Sequence, residues 1–261
     1  MTVDQEGILQ ASLQQIASAM ERERLREQAE RVRMAEESER LYSTLLNSIS
    51  HELRTPLSTI KGAAGILRED DSLDNLQSRR VLADEIVLAS ERLNRLVSNL
   101  LDMSRLEAER VTLNAQPTEP ADLISASLTE LARELESRSV NVDLQEPLPL
   151  VLVDQALVVQ SIVNLLNNAI LYTPPDADID ITCKASTSHV NVIIRDHGAG
   201  IPLESIDRIF EKFYRAPDIR TGGTGLGLSI AKGFIESQGG RIKARNAEGG
   251  GAEFIISLPL A

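Results

Sequence analysis

The chain has 261 residues, 42% of them apolar, with 15 glycines and a formal net charge of -12, material for one or two domains with cores of their own. That charge argues against a nucleic-acid partner, since no sequence-independent grip on phosphate backbones is available. A single cysteine, Cys183, excludes an internal disulfide and a thiolate metal cage, fits a reducing compartment, and is expected as a small core residue. No run approaches the roughly 18 apolar residues of a membrane span, and Met1 is not followed by a signal pattern. The expectation is a cytoplasmic chain, tied to a membrane, if at all, only through missing upstream domains.

From Ile8 to about Leu67 no glycine precedes Gly62 and Pro56 is the only proline, which reads as a long helix. Leu9, Leu13, Ile16 and Met20, followed by a charged run, predict a signalling helix or parallel coiled coil over residues 1–40. At roughly 100° per residue, Leu46, Ile49, Leu53, Leu57, Ile60, Ala64 and Leu67 fall within one arc, and His51 falls nearly opposite it. After a polar connection at Glu69–Asn75, Leu82, Ile86, Ala89, Leu93, Leu96, Leu100 and Met103 repeat at three and four residues, completing a helical hairpin. Two helices cannot bury such stripes alone. The expected solution is a homodimer in which two hairpins form a four-helix bundle, a dimerisation domain over 41–115.

Pro117 and Pro120 bracket an expected linker at Gln116–Pro120, and a second domain is expected over 116–261. Its predicted elements are helix Ala121–Ser137, strands Val140–Gln145 and Leu150–Val153, helix Gln155–Leu171, and strands Ile179–Lys184 and Val190–Arg195. An irregular stretch to Thr224 follows, then helix Leu226–Gln238 and strands Arg241–Ala244 and Glu253–Leu258. Strands running beside strands as well as helices predict an α+β two-layer sandwich, one helical layer on a mixed sheet.

Four motifs could carry chemistry. In Ser50-His51-Glu52-Leu53-Arg54-Thr55-Pro56, a neutral imidazole is a good nucleophile at physiological pH and the adjacent carboxylate of Glu52 can take its proton. Thr55, one turn on, could orient a water, and Pro56 should bend the helix there. Asn164 and Asn168 share a helix face and could offer carbonyl oxygens to a hydrated Mg²⁺, with Tyr172 and Thr173 just beyond. Asp196, at a strand end, could accept from an exocyclic amine such as that of adenine, while Gly198 and Gly200 let backbone approach a flat ring. Gly223, Thr224, Gly225, Leu226 and Gly227 precede a helix, as in a phosphate cradle, but lack the Gly-Lys-Ser/Thr ending of a P-loop and follow no strand. Between the last two motifs, Lys212 and Arg215 flank Phe213 and Tyr214 and could reach phosphate from a lid.

Each motif alone has an ordinary structural explanation: a surface histidine, a polar helix face, a glycine turn. In this order, across Ser43–Leu258, they resemble the full set of sensor histidine kinase boxes. The resemblance implies a phosphotransfer domain followed by the GHKL (Bergerat) ATP-binding fold shared with gyrase, Hsp90 and MutL-type ATPases. It also implies ATP and Mg²⁺ as cofactors and the receiver domain of a response regulator as partner. His51 is then the phosphoacceptor, Glu52 the base, Thr55 a phosphatase residue, Asn164 and Asn168 the Mg²⁺ side, Asp196 the adenine contact, and Gly223–Gly227 the lid edge. Two positions depart from the family: Leu171 replaces a usual Lys, and His197 a usual Asn. The run Gln15–Arg22 resembles the end of a GAF-type sensory domain, as in potassium-responsive KdpD-like kinases. The related hydrolases carry a Glu where this chain has Asn164, which favours transfer over hydrolysis. A degenerate signalling scaffold has only Leu171 in its favour.

Overall fold

The structure is a computed structural model that describes residues 15, 20–26, 28, 49–50, 52–68, 76–108, 111–216 and 224–261. The chain divides into two compact units, Met1–His51 and Glu52–Ala261. In the first, every described residue is helical, as the sequence predicts. His51 itself, the Glu69–Asn75 connection and Gly223 lie outside the described residues.

The second unit begins with two helices, α1 (52–68) and α2 (Leu76–Glu107). Helix α1 runs through Pro56, whose side chain is buried. The apolar stripe is only partly covered: Leu53, Ile60 and Leu67 are half-buried, yet Leu57 is 57% exposed, as is Leu101 of α2 at 56%. Apolar helix faces of this size are stable in water only against a partner surface.

The remainder is an α/β sandwich. Its elements are β1 (Gln116–Thr118), α3 (Pro120–Glu130), β2 (Val140–Gln145), β3 (Val151–Val153), α4 (Gln155–Tyr172), β4 (Ile179–Ala185), β5 (His189–Asp196), α5 (Gly227–Ser237), β6 (Arg241–Asn246) and β7 (Ala252–Pro259). Five strands form one sheet in the order β2-β4-β5-β7-β6, with β2 and β4 parallel and the other pairs antiparallel. Alternation fixes which face is covered. Ile179, Ile181 and Cys183 of β4, Val192 and Ile194 of β5, and Phe254, Ile256 and Leu258 of β7 point one way. They pack on Val158, Ile162, Leu165, Leu166 and Ala169 of α4 and on Leu123 and Ile124 of α3. The thiol of Cys183 is sealed in this core, and burial pushes its pKa up to about 11.

Two expectations need correction. Gln116–Pro120 is not a free linker: Gln116, Pro117 and Thr118 pair antiparallel with Val153, Leu152 and Val151. A proline is tolerated on such a short edge strand, and burial of Thr118 against Val151 draws the segment in. The first helix stops at Glu130 rather than Ser137, because Leu131 leaves helical geometry (φ -103, ψ 19). Turns follow through 137, but Leu131 and Leu135 both stay buried and one helical-type bond, Leu135 N to Leu131 O, survives. The apolar spacing therefore continues past the end of the helix.

Candidate nucleotide site

The site is built from the outer face of α4, the end of β5, the start of α5 and the turn between β6 and β7. Helix α4 starts at an N-cap, Asp154, whose Oδ1 accepts from Ala156 N and Leu157 N. With Ile162, Leu165, Leu166 and Ala169 in the core, Asn164, Asn167 and Asn168 are left half-buried on the opposite side. The Asn164 side chain lies near the α5 N-terminus, with Oδ1 3.6 Å from where a Cβ on Gly227 would stand. Its Nδ2 is buried without a hydrogen-bond partner among the described residues. An orphaned buried amide costs about 1–3 kcal/mol unless a ligand satisfies it. Among the described residues no side chain caps the first turn of α5, a helix end whose amides suit an anion.

The expected adenine wall is rigid. Asp196 is 4% exposed, and its Oδ1 accepts from Gly198 N at 2.9 Å and from Ala252 N at 3.0 Å. Its other oxygen, Oδ2, has no hydrogen-bond partner among the described residues. A carboxylate with one oxygen fixed and the other free suits an incoming N–H donor. Gly198 is packed so closely that an added Cβ would meet Thr173 Cγ2 at 2.9 Å. Gly200 has φ +80, in the left-handed region.

Sequence reasoning missed three residues here. Asn246 of β6 clamps Ile201 from both sides, accepting from Ile201 N at 2.7 Å and donating to Ile201 O at 2.8 Å. Gly251, at φ +85, brings the β6–β7 turn onto Asp196, which is how Ala252 N reaches the carboxylate. Arg138 grips the end of α4. The run Gly249-Gly250-Gly251 was the one visible signal, since consecutive glycines mark unusual backbone.

The residues expected at the phosphate end are spread more widely. Thr224 is buried and its Oγ1 accepts from Leu226 N at 3.3 Å. Leu226 is fully buried in a second cluster with Met103, Ile230 and Phe234, so only its backbone could face a ligand. Gly225 at φ +69 packs on Phe213, an Cβ there falling 2.7 Å from Phe213 C, and Phe213 is itself at φ +63. Lys212 Nζ sits 2.8 Å from Glu107 Oε1 of α2. Arg215 Nη1 lies 4.0 Å from Glu52 Oε1 of α1. The hydroxyl pKa of Tyr172 is raised by burial, with Arg215 pulling it down and Glu52 pushing it up, so these three side chains share one neighbourhood. Thr55 is exposed on α1, and Leu171 is exposed on α4. His197 bonds Asp180 Oδ2 at 2.7 Å, tying the loop to β4.

Helix α2 lies along this domain. Met103 and Leu106 pack on α5, Arg95 Nη1 donates to Asn167 Oδ1 at 3.1 Å, and Gln160 donates to the buried Asp102.

Two family descriptions match the chain in order. Residues 41–109 match the His Kinase A (phospho-acceptor) domain, and residues 153–261 match the histidine kinase-, DNA gyrase B- and HSP90-like ATPase. The chain belongs to the sensor histidine kinases. It is 35% identical over 260 residues to the sensor protein KdpD of Escherichia coli strain K12, across 99% of this chain and 29% of that protein. To KdpD of Clostridium acetobutylicum it is 34% identical over 249 residues, across 94% of this chain and 28% of the other. It therefore spans less than a third of the length of these relatives. Among solved structures, histidine kinase ThkA in complex with response regulator protein TrrA matches with a TM-score of 0.62 at 27% identity, covering 82% of this chain and 60% of that one. Use of ATP by the kinase domain follows from the ATPase match. The donor and acceptor set is compatible with a nucleotide: a buried amide unsatisfied among the described residues and a carboxylate with one oxygen free.

Proposed function

We propose that this chain is the cytoplasmic kinase portion of a two-component sensor, in which ATP phosphorylates His51 and the phosphoryl group passes to an Asp of a response-regulator receiver domain. The observation that carries this is the Asp196 carboxylate, locked by two backbone amides with one oxygen free, in a chain whose phospho-acceptor match includes His51. Residues 1–40 serve as the signalling helix, 41–115 as the dimerisation and phosphotransfer domain, and 116–261 as the ATP-binding domain. The exposed Leu57 and Leu101 favour a homodimer built on α1 and α2. Among the described residues no helix is long and apolar enough to cross a membrane.

In this mechanism Asp196 accepts the adenine amine, and the flat ring lies against Gly198 and Gly200. Asn164 and Asn168, with Tyr172 beside them, face the phosphates, and the backbone of Thr224, Gly225, Leu226 and Gly227 closes the phosphate end, a role in which the sequence also casts Gly223, outside the described residues. Asn164 and Asn168 would also hold Mg²⁺, whose charge offsets that of the phosphate oxygens. A ring nitrogen of His51 attacks the γ-phosphorus, the bond to the β-phosphate oxygen breaks, ADP leaves, and Glu52 takes the imidazole proton. Lys212 and Arg215 neutralise developing charge. Thr55 orients a water for the opposite reaction, hydrolysis of phosphate on the regulator. With Gln116–Thr118 fixed in a strand, the swing of the ATP-binding domain has to come from upstream of Gln116.

The test is incubation with γ-labelled ATP and Mg²⁺ beside a His51→Ala variant. Acid-labile, base-stable label that is absent from the variant is expected. Label retained by the variant, or none despite ATP binding, would refute the phosphoacceptor assignment.

A further inference from the structure

The end of α4 is held by a residue from outside the helix. Arg138 Nη1 donates to Thr173 Oγ1 at 2.6 Å and to Ala177 O at 3.4 Å, while Nη2 donates to Ile170 O at 2.9 Å and Thr173 O at 3.1 Å. The helix has no basic residue in its last turn, and its C-cap Thr173 is extended (φ -121, ψ 154) where a left-handed glycine would ordinarily satisfy the last carbonyls. The guanidinium supplies both the missing donors and the positive charge that suits a helix C-terminus. It is presented by the 131–137 turns, which are anchored on buried Leu131 and Leu135.

Thr173 passes this grip on. Its Oγ1 accepts from Arg138 and donates to Ala169 O at 2.7 Å, which fixes the rotamer. Its methyl then meets Gly198, where an added Cβ would lie 2.9 Å from Thr173 Cγ2 and 3.2 Å from Tyr172 O. Gly198 N in turn holds Asp196 Oδ1.

We propose that Arg138 is a positioning residue for adenine recognition, setting the end of α4 against the Asp196–Gly200 loop so that the free carboxylate oxygen of Asp196 faces the base. This rests on the assignment of Asp196 to the adenine amine. Arg138 touches no nucleotide. Its removal therefore loosens discrimination of the base and leaves the contacts to phosphate in place.

The experiment compares Kd for ADP and for inosine diphosphate, which carries a carbonyl in place of the exocyclic amine, by titration calorimetry on the full chain. The variants are R138Q, R138K and T173V, the last keeping the methyl contact while deleting the acceptor. A hydrogen bond to a charged group implies that the parent chain prefers ADP by about 10-fold or more. R138Q should lose most of that preference through weaker ADP binding, with inosine diphosphate nearly unchanged. R138K and T173V, less disruptive to folding, should lose part of it. Equal loss for both nucleotides, or unchanged ADP affinity in all three variants, would overturn the assignment of Arg138 alone. A parent chain that binds both nucleotides equally overturns the Asp196 reading and this one with it.

Discussion

Gly251 and Gly239 offer a matched pair of perturbations. Both sit in the left-handed region, at φ +85 and +77, so Ala at either carries the same backbone penalty of about 1–2 kcal/mol. They differ in what the new methyl meets. At Gly239 nothing lies within 4 Å, whereas at Gly251 a Cβ would run into Asp196 O and stand 2.8 Å from the Asp196 carbonyl carbon and 3.2 Å from His197 Cα. Those are backbone atoms of a central strand and the loop that follows it, which cannot step aside as a flexible side chain would. Overpacking of this kind adds about 1–3 kcal/mol, and drawing Ala252 N away from Asp196 Oδ1 adds roughly 1 kcal/mol or more. Gly239→Ala should therefore cost about 1–2 kcal/mol and Gly251→Ala about 3–6 kcal/mol, read by urea unfolding followed through circular dichroism. Since the displaced amide holds the carboxylate proposed to face adenine, Gly251→Ala should also weaken ADP binding about 10-fold, with Gly239→Ala without effect. If the two variants unfold within about 0.5 kcal/mol of each other, the close approach is not a constraint on the site and the reasoning fails.

Two other outcomes follow from the same geometry. Glu107→Gln releases Lys212 from an exposed ion pair, so stability should change by less than about 0.5 kcal/mol while ATP binds roughly two- to five-fold more tightly, measured with a fluorescent nucleotide. An unchanged Kd would take Lys212 out of the phosphate contacts. The thiol of Cys183, with a pKa of about 11, is protonated through pH 8 and closed to solvent. Alkylation by iodoacetamide at pH 8 should track unfolding in urea, and modification of the folded chain at the rate of a free thiol would contradict the core packing.

Most of the sandwich was legible because alternation in Ile179–Ala185 and His189–Asp196 and the helical period of Gln155–Tyr172 are local signals that tertiary packing reinforced. The two misreadings have a common origin. Proline at 117 and 120 signals a chain that is not helical, but cannot distinguish a loop from a short edge strand, and pairing with Val151–Val153 decides that question from more than thirty residues away. At Leu131, burial preserved the apolar spacing while the backbone left the helix, so the pattern outlived the structure it ordinarily reports.

The site divides along the same line. Asn164, Asn168, Asp196 and the glycines announced themselves by residue type at fixed spacing, because each would meet the ligand directly. Arg138, Asn246 and Gly251 act on those residues through backbone atoms, so their identity is set by what the fold brings opposite them. Asn246 reaches Ile201 across 45 positions and Ala252 reaches Asp196 across 56. No short window of sequence contains both ends of such a bond. A carboxylate that reads a base by one oxygen has to be fixed more tightly than a solvent-exposed loop permits. The β6–β7 turn and the end of α4 both close on the Asp196–Gly200 loop, which removes freedom that the two glycines of the motif would otherwise leave it. On the proposed reading the glycines let the wall come close to a ring. The distant hydrogen bonds are what keep it in one place.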